Sequence, residues 1–313
     1  MSEIRWNPVL QEWVVTAVHR QARPVLQQEC PFCAGAGVSG EVETVSVPNR
    51  YPALSHPPPP PSLDSRGLFQ VMPSDGQCEV LVYTADHETE LPYLPLEDVL
   101  KVIRLWRERF SELERQPHVQ YVLIFENRGA AVGVTLSHPH GQLYAFPMIP
   151  SIIQRELVSM KTYSERNGTC LLCDAMEAEG ADGRRIVTRE TGLIAYVPFW
   201  GRWPYEVHIL PDRHLSALTE MDEEEMRALA SILPRILRKY DSLMGSSMPY
   251  VVVLHQRPTD GRPYPFYHFH VEVYPMKRSS TELKYLAGSE LGAGVFINDS
   301  HPEDKARELR EAP

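Results

Sequence analysis

The chain carries two short cysteine motifs, CPFC at residues 30–33 and CLLC at residues 170–173. Each is followed by a lone histidine and then by a histidine doublet that enters an apolar stretch: His87 and HPH at residues 138–140, then His214 and HFH at residues 268–270. The matching cysteines lie 140 residues apart, the lone histidines 127 and the doublets 130. Such near-constant spacing indicates a duplicated unit.

Two thiols and two imidazoles in each half form a ligand set that is typical of tetrahedral Zn²⁺. We therefore predict two metal sites, made of Cys30, Cys33, His87 and His138 in the first half and of Cys170, Cys173, His214 and His268 in the second. For the second half another set stays open, because its harder donors suit Fe²⁺ as well as Zn²⁺. It consists of Glu156, His255, His268 and His270.

Length and composition limit the class of protein. The 313 residues suffice for two modules of ordinary domain size. A formal net charge of -10 disfavours nucleic acid as a partner, because sequence-independent binding to phosphates needs a basic face. No run of ~18 apolar residues could span a membrane, and residues 1–8 lack the apolar stretch of a secretory signal. We therefore expect a cytoplasmic protein.

Strand-like runs and one long amphipathic helix recur in the same order in both halves. The predicted strands are 12–17, 78–83, 120–125 and 142–146 in the first half and 193–197, 206–210, 250–254 and 270–274 in the second. The helices are predicted at 96–115 and 222–244, the second opened by a capping box of Asp222 and Glu225. This order predicts an α+β fold of two fused modules, 1–165 and 166–313, each an antiparallel sheet covered by a long helix.

The stretch ENRGAAVGVTLSHPHGQ at residues 126–142 is the densest group of candidate functional residues. Its glycines and alanines let the backbone approach a ligand closely, and backbone N–H groups there can bind phosphate oxygens. If strand geometry holds, His138 and His140 share a face, so that one binds metal while the other meets a ligand. A neutral imidazole at His140 can attack phosphorus, and the amide of Gln142 can stabilise phosphoryl oxygens.

These motifs resemble the galactose-1-phosphate uridylyltransferase family, the transferase branch of the histidine triad superfamily, over nearly the whole chain. The resemblance implies two histidine-triad-like modules and a ping-pong reaction. In it His140 attacks the α-phosphorus of UDP-glucose, expels glucose 1-phosphate and passes the uridylyl group to galactose 1-phosphate. A phosphorylase that acts on ADP-glucose or diadenosine tetraphosphate through the same histidine is the alternative.

The resemblance also implies substrate contacts and a partner. The matching positions are Arg20, Arg23, Asn49, Asn127, Thr135, Gln142, Lys284, Tyr285 and Glu290. In the family the segment that matches residues 278–290 comes from a second subunit, which implies a homodimer. Many members of the family hold iron with residues that match Glu156, His255, His268 and His270, so the resemblance leaves the second ion as zinc or iron and gives it a structural role.

Overall fold

The computed structural model describes residues 2–22, 30–33 and 44–313. The strands in this part of the chain are β1 Ser2–Asn7, β2 Glu12–Ala17, β3 Val45–Pro48, β4 Val71–Pro73, β5 Gln77–Val82, β6 Tyr121–Arg128, β7 His140–Phe146, β8 Ile186–Glu190, β9 Leu193–Tyr196, β10 Val207–Pro211, β11 Tyr250–His255 and β12 His270–Pro275. The α-helices in it are α1 Leu96–Leu113, α2 Ser151–Asn167, α3 Leu171–Asp182, α4 Glu223–Met244, α5 Gly288–Ala293 and α6 Pro302–Glu311.

One antiparallel sheet joins the two halves. Its strand order is β3-β5-β7-β6-β11-β12-β10-β9-β8, and a separate sheet has the order β2-β1-β4. The run β5-β7-β6 from the first half meets β11-β12-β10 from the second, so the same three-strand unit occurs twice in reversed order. The seam is the pair β6–β11, where Arg128 lies opposite Tyr250. The predicted α+β fold with a duplicated unit is confirmed.

Helices α1 and α4 cover one face of the large sheet and enclose the main core. Both are amphipathic, and they bury large side chains such as Trp106 and Tyr240 against the strands. The predicted capping box is present at the start of α4: Asp222 accepts from the backbone N–H of Glu225, whose carboxylate accepts from the N–H of Asp222. Such a box satisfies two N–H groups that the first helical turn leaves without partners.

Helices α2 and α3 pack on the opposite face, over the second half of the sheet. Strand β9 shows the two faces, because Ala195 joins the core under α1 and α4 while Tyr196 packs with Met160 of α2. The predicted module boundary between residues 165 and 166 falls in the last turn of α2, and Gly168 ends the helix at φ 75°. No helix of the described residues is both long and apolar enough to cross a membrane.

Side chains of strand β7 alternate between the buried core and the face of the candidate site. Gly141, Leu143 and Ala145 are buried toward the helices, whereas His140 and Gln142 lie on the other face. Gly141 is required here because a Cβ at this position would clash with the hydroxyl of buried Tyr83. Two candidate catalytic side chains are thus placed on one face of a strand whose other face is packed.

Candidate functional site

The first predicted ligand set is assembled at the edge of the site. Nδ1 of His138 lies 3.5 Å from Sγ of Cys30 and 3.9 Å from Sγ of Cys33, and Nδ1 of His87 lies 3.1 Å from Sγ of Cys33. A tetrahedral zinc ion with bonds of ~2.3 Å to sulfur and ~2.0 Å to nitrogen would place such atoms about 3.5 Å apart. The donors therefore fit the ion.

The outer nitrogens of both ligand histidines have protein partners. Nε2 of His138 donates to the backbone carbonyl of Thr84 at 2.7 Å, and Nε2 of His87 lies 2.9 Å from the hydroxyl of Ser137. The carbonyl fixes the His138 proton on Nε2 and leaves Nδ1 toward the thiols. Burial lowers the pKa of His138, which also favours the neutral form that binds metals.

The second thiol set repeats this geometry. Nδ1 of His268 lies 3.7 Å from Sγ of Cys170 and 3.3 Å from Sγ of Cys173, and Nδ1 of His214 lies 3.6 Å from Sγ of Cys173. Nε2 of His268 donates to the carbonyl of Pro211 at 3.1 Å. The four ligand atoms of each set lie within 4.8 Å of one another. The structure therefore brings together all eight residues that the cysteine and histidine spacing predicts as ligands.

The iron set considered above is wrong in one member. His268 faces the thiols, while Glu156, His255 and His270 gather with Glu272 in a separate cluster. Nδ1 of His255 lies 2.8 Å from Oε1 of Glu156, and its Nε2 lies 3.6 Å from Oε2 of Glu272. Burial opposes a charge on His255, but these two carboxylates outweigh it and raise its pKa to about 9. The two ligand sets thus share no residue.

His140 is held in one tautomer. Its Nδ1 donates to the backbone carbonyl of His138 at 2.7 Å, which places the ring proton on Nδ1 and leaves Nε2 unprotonated. His270 makes the same bond to the carbonyl of His268 at 2.9 Å in the second half. His138 precedes β7 and turns its ring toward the cysteines. The predicted metal ligand and the candidate nucleophile are thus two residues apart, and the side chain of His140 is hydrogen-bonded to the backbone carbonyl of His138.

A cavity of about 260 Å³ lies beside His140. Asn127 and Thr135, two of the predicted substrate-binding residues, line it together with the small residues of the loop that follows β6. Gly129 and Gly133 in this loop have φ of 92° and 77°, a region that favours glycine. Gln142 follows on the same strand face as His140. The cavity can therefore receive a phosphate group between backbone amides and an imidazole nitrogen.

Two further predicted residues lie near this strand face. Arg20 donates from Nη1 to the hydroxyl of Tyr144 at 3.1 Å, and Tyr144 is two residues beyond Gln142 on β7. Asn49 follows β3. Its backbone N–H donates to the carbonyl of Cys78, and its Oδ1 accepts from the backbone N–H of Tyr51. Arg23 lies outside the described residues.

The predicted sugar-binding segment is not brought to this cavity within the chain. Lys284 donates to the carbonyl of Ile297 at 2.6 Å and lies 3.3 Å from Oε1 of buried Glu290. Tyr285 is 72% exposed. Glu290 lines a different groove, which is formed with α2 and the turn between β1 and β2. The role of these three residues stays a prediction.

Glu126 opens the 126–142 motif and lines the cavity, but the motif alone assigns it no role. Glu126 lies on the core face of β6, and the hydroxyl of Tyr250 donates to its Oε1 at 2.9 Å. Burial raises the pKa of Glu126 to about 7 despite that hydrogen bond. Strand alternation contained the signal, because residues 124, 126 and 128 share the buried face and two of them are charged.

The structure thus places a histidine doublet beside a cysteine pair in each half of a doubled α+β unit. The family model for the N-terminal domain of galactose-1-phosphate uridyl transferase matches residues 39–150, and the model for the C-terminal domain matches residues 156–313. The chain therefore belongs to the galactose-1-phosphate uridylyltransferase family.

The individual proteins to which the chain is similar include uridylyltransferases and a phosphorylase. The galactose-1-phosphate uridylyltransferase of Thermotoga maritima is 42% identical over 99% of this chain and 98% of its own length. A solved uridylyltransferase structure has a TM-score of 0.92 at 38% identity, covering 99% of this chain and 98% of that one. An ADP-glucose phosphorylase from Arabidopsis thaliana, solved with bound ADP-glucose, has a TM-score of 0.78 at 25% identity over the full length of both chains.

The Glu126→Gln substitution is expected to remove a pH dependence of stability. The buried carboxyl stays protonated in the folded protein up to about pH 7, whereas the unfolded chain ionises near its ordinary pKa of 4.5. Stability should therefore fall by roughly 3 kcal/mol as the pH rises from about 4.5 to 7 and then level off. Unfolding by urea between pH 5 and 8 measures this difference against the Gln variant. Exposed Glu112→Gln is the control, and parallel curves for parent and Glu126→Gln would contradict the assignment.

Proposed function

We propose that this chain exchanges the uridylyl group between UDP-glucose and galactose 1-phosphate through a covalent intermediate on His140. The observation that carries the proposal is the hydrogen bond from Nδ1 of His140 to the carbonyl of His138, which directs the unprotonated Nε2 away from the backbone. Family membership over the full chain supports the choice of reaction.

The chemistry needs two displacements at one phosphorus atom. Nε2 of His140 attacks the α-phosphorus of UDP-glucose, and the bond from that phosphorus to the β-phosphate oxygen breaks, releasing glucose 1-phosphate. A phosphate oxygen of galactose 1-phosphate then attacks the same phosphorus, breaks its bond to Nε2 and forms UDP-galactose. The carbonyl of His138 stabilises the positive charge that the imidazole gains in the intermediate.

Gln142 and the loop after β6 suit this transfer. Negative charge grows on the phosphoryl oxygens in each step, and an amide donor beside His140 together with loop N–H groups can stabilise it. An amide supplies no proton, but a sugar phosphate is a good enough leaving group to depart without one. Asn127, Thr135, Arg20, Arg23 and Asn49 are the remaining proposed substrate contacts.

Two structural zinc sites complete the proposal for the chain itself. Cys30, Cys33, His87 and His138 hold the first ion, and Cys170, Cys173, His214 and His268 hold the second. Their sulfur–nitrogen spacings support this choice. Zinc in the first site supplies folding energy and fixes His138, and thereby the carbonyl that orients His140. Fe²⁺, the alternative second ion, is better matched to the separate set of Glu156, His255, His270 and Glu272.

The remaining substrate contacts are proposed to come from a second copy of the chain in a cytoplasmic homodimer. Lys284, Tyr285 and Glu290 lie apart from the cavity of their own chain, and a cluster of apolar side chains near them is exposed. That cluster comprises Tyr285, Leu286, Leu291, Val295 and Ile297. Exposed apolar groups of this kind are typical of a subunit interface, so the segment could serve the site of the partner subunit.

A phosphorylase that carries adenylate on His140 is the second candidate. The likeness to the ADP-glucose phosphorylase favours it, but that protein is less similar to this chain than the uridylyltransferases are. The two reactions share the attacking histidine and differ in the base and in the acceptor. Nucleotide choice therefore distinguishes them.

Incubation with UDP-glucose labelled in the α-phosphate should leave acid-labile label on the protein and release an equal amount of glucose 1-phosphate. His140→Ala should lose the label entirely, because no other group would form the phosphorus–nitrogen bond. His270→Ala, which removes the counterpart histidine of the second half, is the control and should still label if it folds. Labelling of His140→Ala would refute the nucleophile, and preferential labelling by ADP-glucose would favour the phosphorylase.

Gln142→His is expected to retain nucleotide binding but to shorten the lifetime of the labelled intermediate. An imidazole at this position can transfer protons to and from water, which an amide does not do. The measurement is the rate at which isolated labelled enzyme loses its label in buffer without acceptor. Gln142→Asn, which keeps an amide, is the control. An unaltered lifetime for Gln142→His would contradict the role given to the amide.

Cys30→Ser should lose one equivalent of zinc and melt at a lower temperature, because binding of a structural ion contributes to folding. Cys170→Ser should lose the second equivalent. Cys78→Ala, a buried cysteine outside both sets, should keep full zinc content. Metal analysis and thermal unfolding of the purified variants measure both effects. Full zinc and an unchanged melting temperature in Cys30→Ser would exclude the first site, and iron that is lost only in His255→Ala would identify the separate set.

A further inference from the structure

A buried arginine side chain lies where β6 passes into the loop beside the cavity. Arg128 is the last residue of β6, and its side chain is only 5% exposed. A guanidinium at such a depth is unfavourable unless it is paired and hydrogen-bonded. The partners of Arg128 therefore show which parts of the chain this side chain connects.

The partners of Arg128 come from both halves of the chain. Nη1 donates to Oδ1 and Oδ2 of Asp241, on helix α4, at 2.7 and 2.8 Å. Nη2 donates to the carboxylate of Glu90, in the segment that follows His87. The guanidinium also lies over the ring of Tyr250, with 5.5 Å between its Cζ and the ring centroid. Charge pairing and a cation–π contact thus stabilise the buried group.

Asp241 extends this network to two more segments. Its Oδ1 accepts from the backbone N–H of Met248 at 2.7 Å, and its Oδ2 accepts from the hydroxyl of Tyr93 at 2.8 Å. The Arg128 clamp, defined as Arg128, Asp241, Glu90 and Tyr93, therefore fastens the end of β6 to α4, to the turn before β11 and to the segment after His87.

The residue after Arg128 is also held by the second half. Gly129 has φ of 92°, and a Cβ built on it would lie 2.9 Å from Cβ of Pro249. The 129–133 loop thus begins from a fixed point, and its first two residues, Gly129 and Ala130, line the same cavity as His140. Glu90 and Arg128 themselves also line this cavity, so the clamp forms part of its wall as well as the base of the loop.

We propose that Arg128 and Asp241 are positioning residues, through which the second half of the chain holds the 129–133 loop of the first half in register with His140. The inference rests on the proposed function, because the loop is assigned there to the phosphate of the nucleotide sugar. A displacement of about 1 Å in groups that orient a reacting phosphate can slow transfer roughly 100-fold. The clamp thus links catalysis in one half to the packing of the other.

Asp241→Asn tests the inference, because it keeps an acceptor for Met248 and removes the charge that pairs with Arg128. In a single turnover with labelled UDP-glucose, the amount of label per chain gives the fraction of active sites and its rate of appearance gives the chemistry per site. We expect the rate per labelled site to fall roughly 10- to 100-fold. Glu179→Gln is the matched control, since it breaks the buried Arg185–Glu179 pair far from the cavity.

Two outcomes separate positioning from mere stability. If Asp241→Asn lowers the melting temperature as Glu179→Gln does but leaves the rate per labelled site unchanged, the inference is overturned. Arg128→Lys should recover part of the rate that Arg128→Met loses, because it restores the charge without the fork. Should Asp241→Asn fail to fold, Glu90→Gln replaces it. The Glu90 side chain is 40% exposed, so the substitution costs less stability, and it removes one of the two carboxylates that pair with Arg128.

Hydrogen exchange gives a readout that does not depend on turnover. Backbone amides of residues 130–133 should exchange faster in Asp241→Asn than in the parent and in Glu179→Gln. Equal exchange in all three proteins would overturn the inference, whatever their activity. A parent protein that exchanges normally but never acquires label would instead refute the proposed function, so the two failures are distinct.

Discussion

The hydrogen bond between the ring of His140 and the carbonyl of His138 is the constraint on which the site depends. His138 is buried, with Nδ1 toward Cys30 and Cys33 and Nε2 on the carbonyl of Thr84, so its backbone has little freedom. The adjacent strand β7 then fixes His140 by ladder hydrogen bonds to β5. A nucleophile placed in this way needs no rearrangement before it meets phosphorus, which is the physical content of preorganisation.

The sequence pattern was sufficient for those parts of the molecule that repeat. The eight predicted thiol and imidazole ligands, the two long helices and three of the four predicted strands of each half recur at near-constant spacing, and each lies within a few residues of its predicted position. The strands predicted at 12–17 and 193–197 do not correspond, because the first lies in the separate sheet β2-β1-β4 and the second in the large sheet. Spacing is informative here because a tetrahedral metal site would restrict both residue type and geometry. The sequence pattern could not show that β6 and β11 would pair and merge the halves into one sheet, since pairing between strands more than 120 residues apart leaves no local signal.

The residues that sequence reasoning missed are the buried charged ones. Glu126, Arg128 and Asp241 look like ordinary solvent-facing residues of a strand and a helix, and only tertiary packing turns them inward. The iron set failed for a related reason: His268 matches either cluster by spacing, and only the position of the CLLC motif at the start of α3 decides that it faces the thiols. The sequence identifies residue types that can bind metals or react, but tertiary packing determines which of them lie next to one another.

The seam between β6 and β11 also has a consequence for the synthesis of the chain. Each repeat covers the inner edge strand of the other. While only the first repeat has left the ribosome, the backbone N–H and C=O groups of Ile124 through Arg128 therefore lack their partners on β11. This exposed edge of β6 must not pair with strands of other molecules until β11, which ends at residue 255, has been synthesised. Because the inner edge of each repeat is covered by the other, separation of the two repeats would expose both edges to pairing with foreign strands.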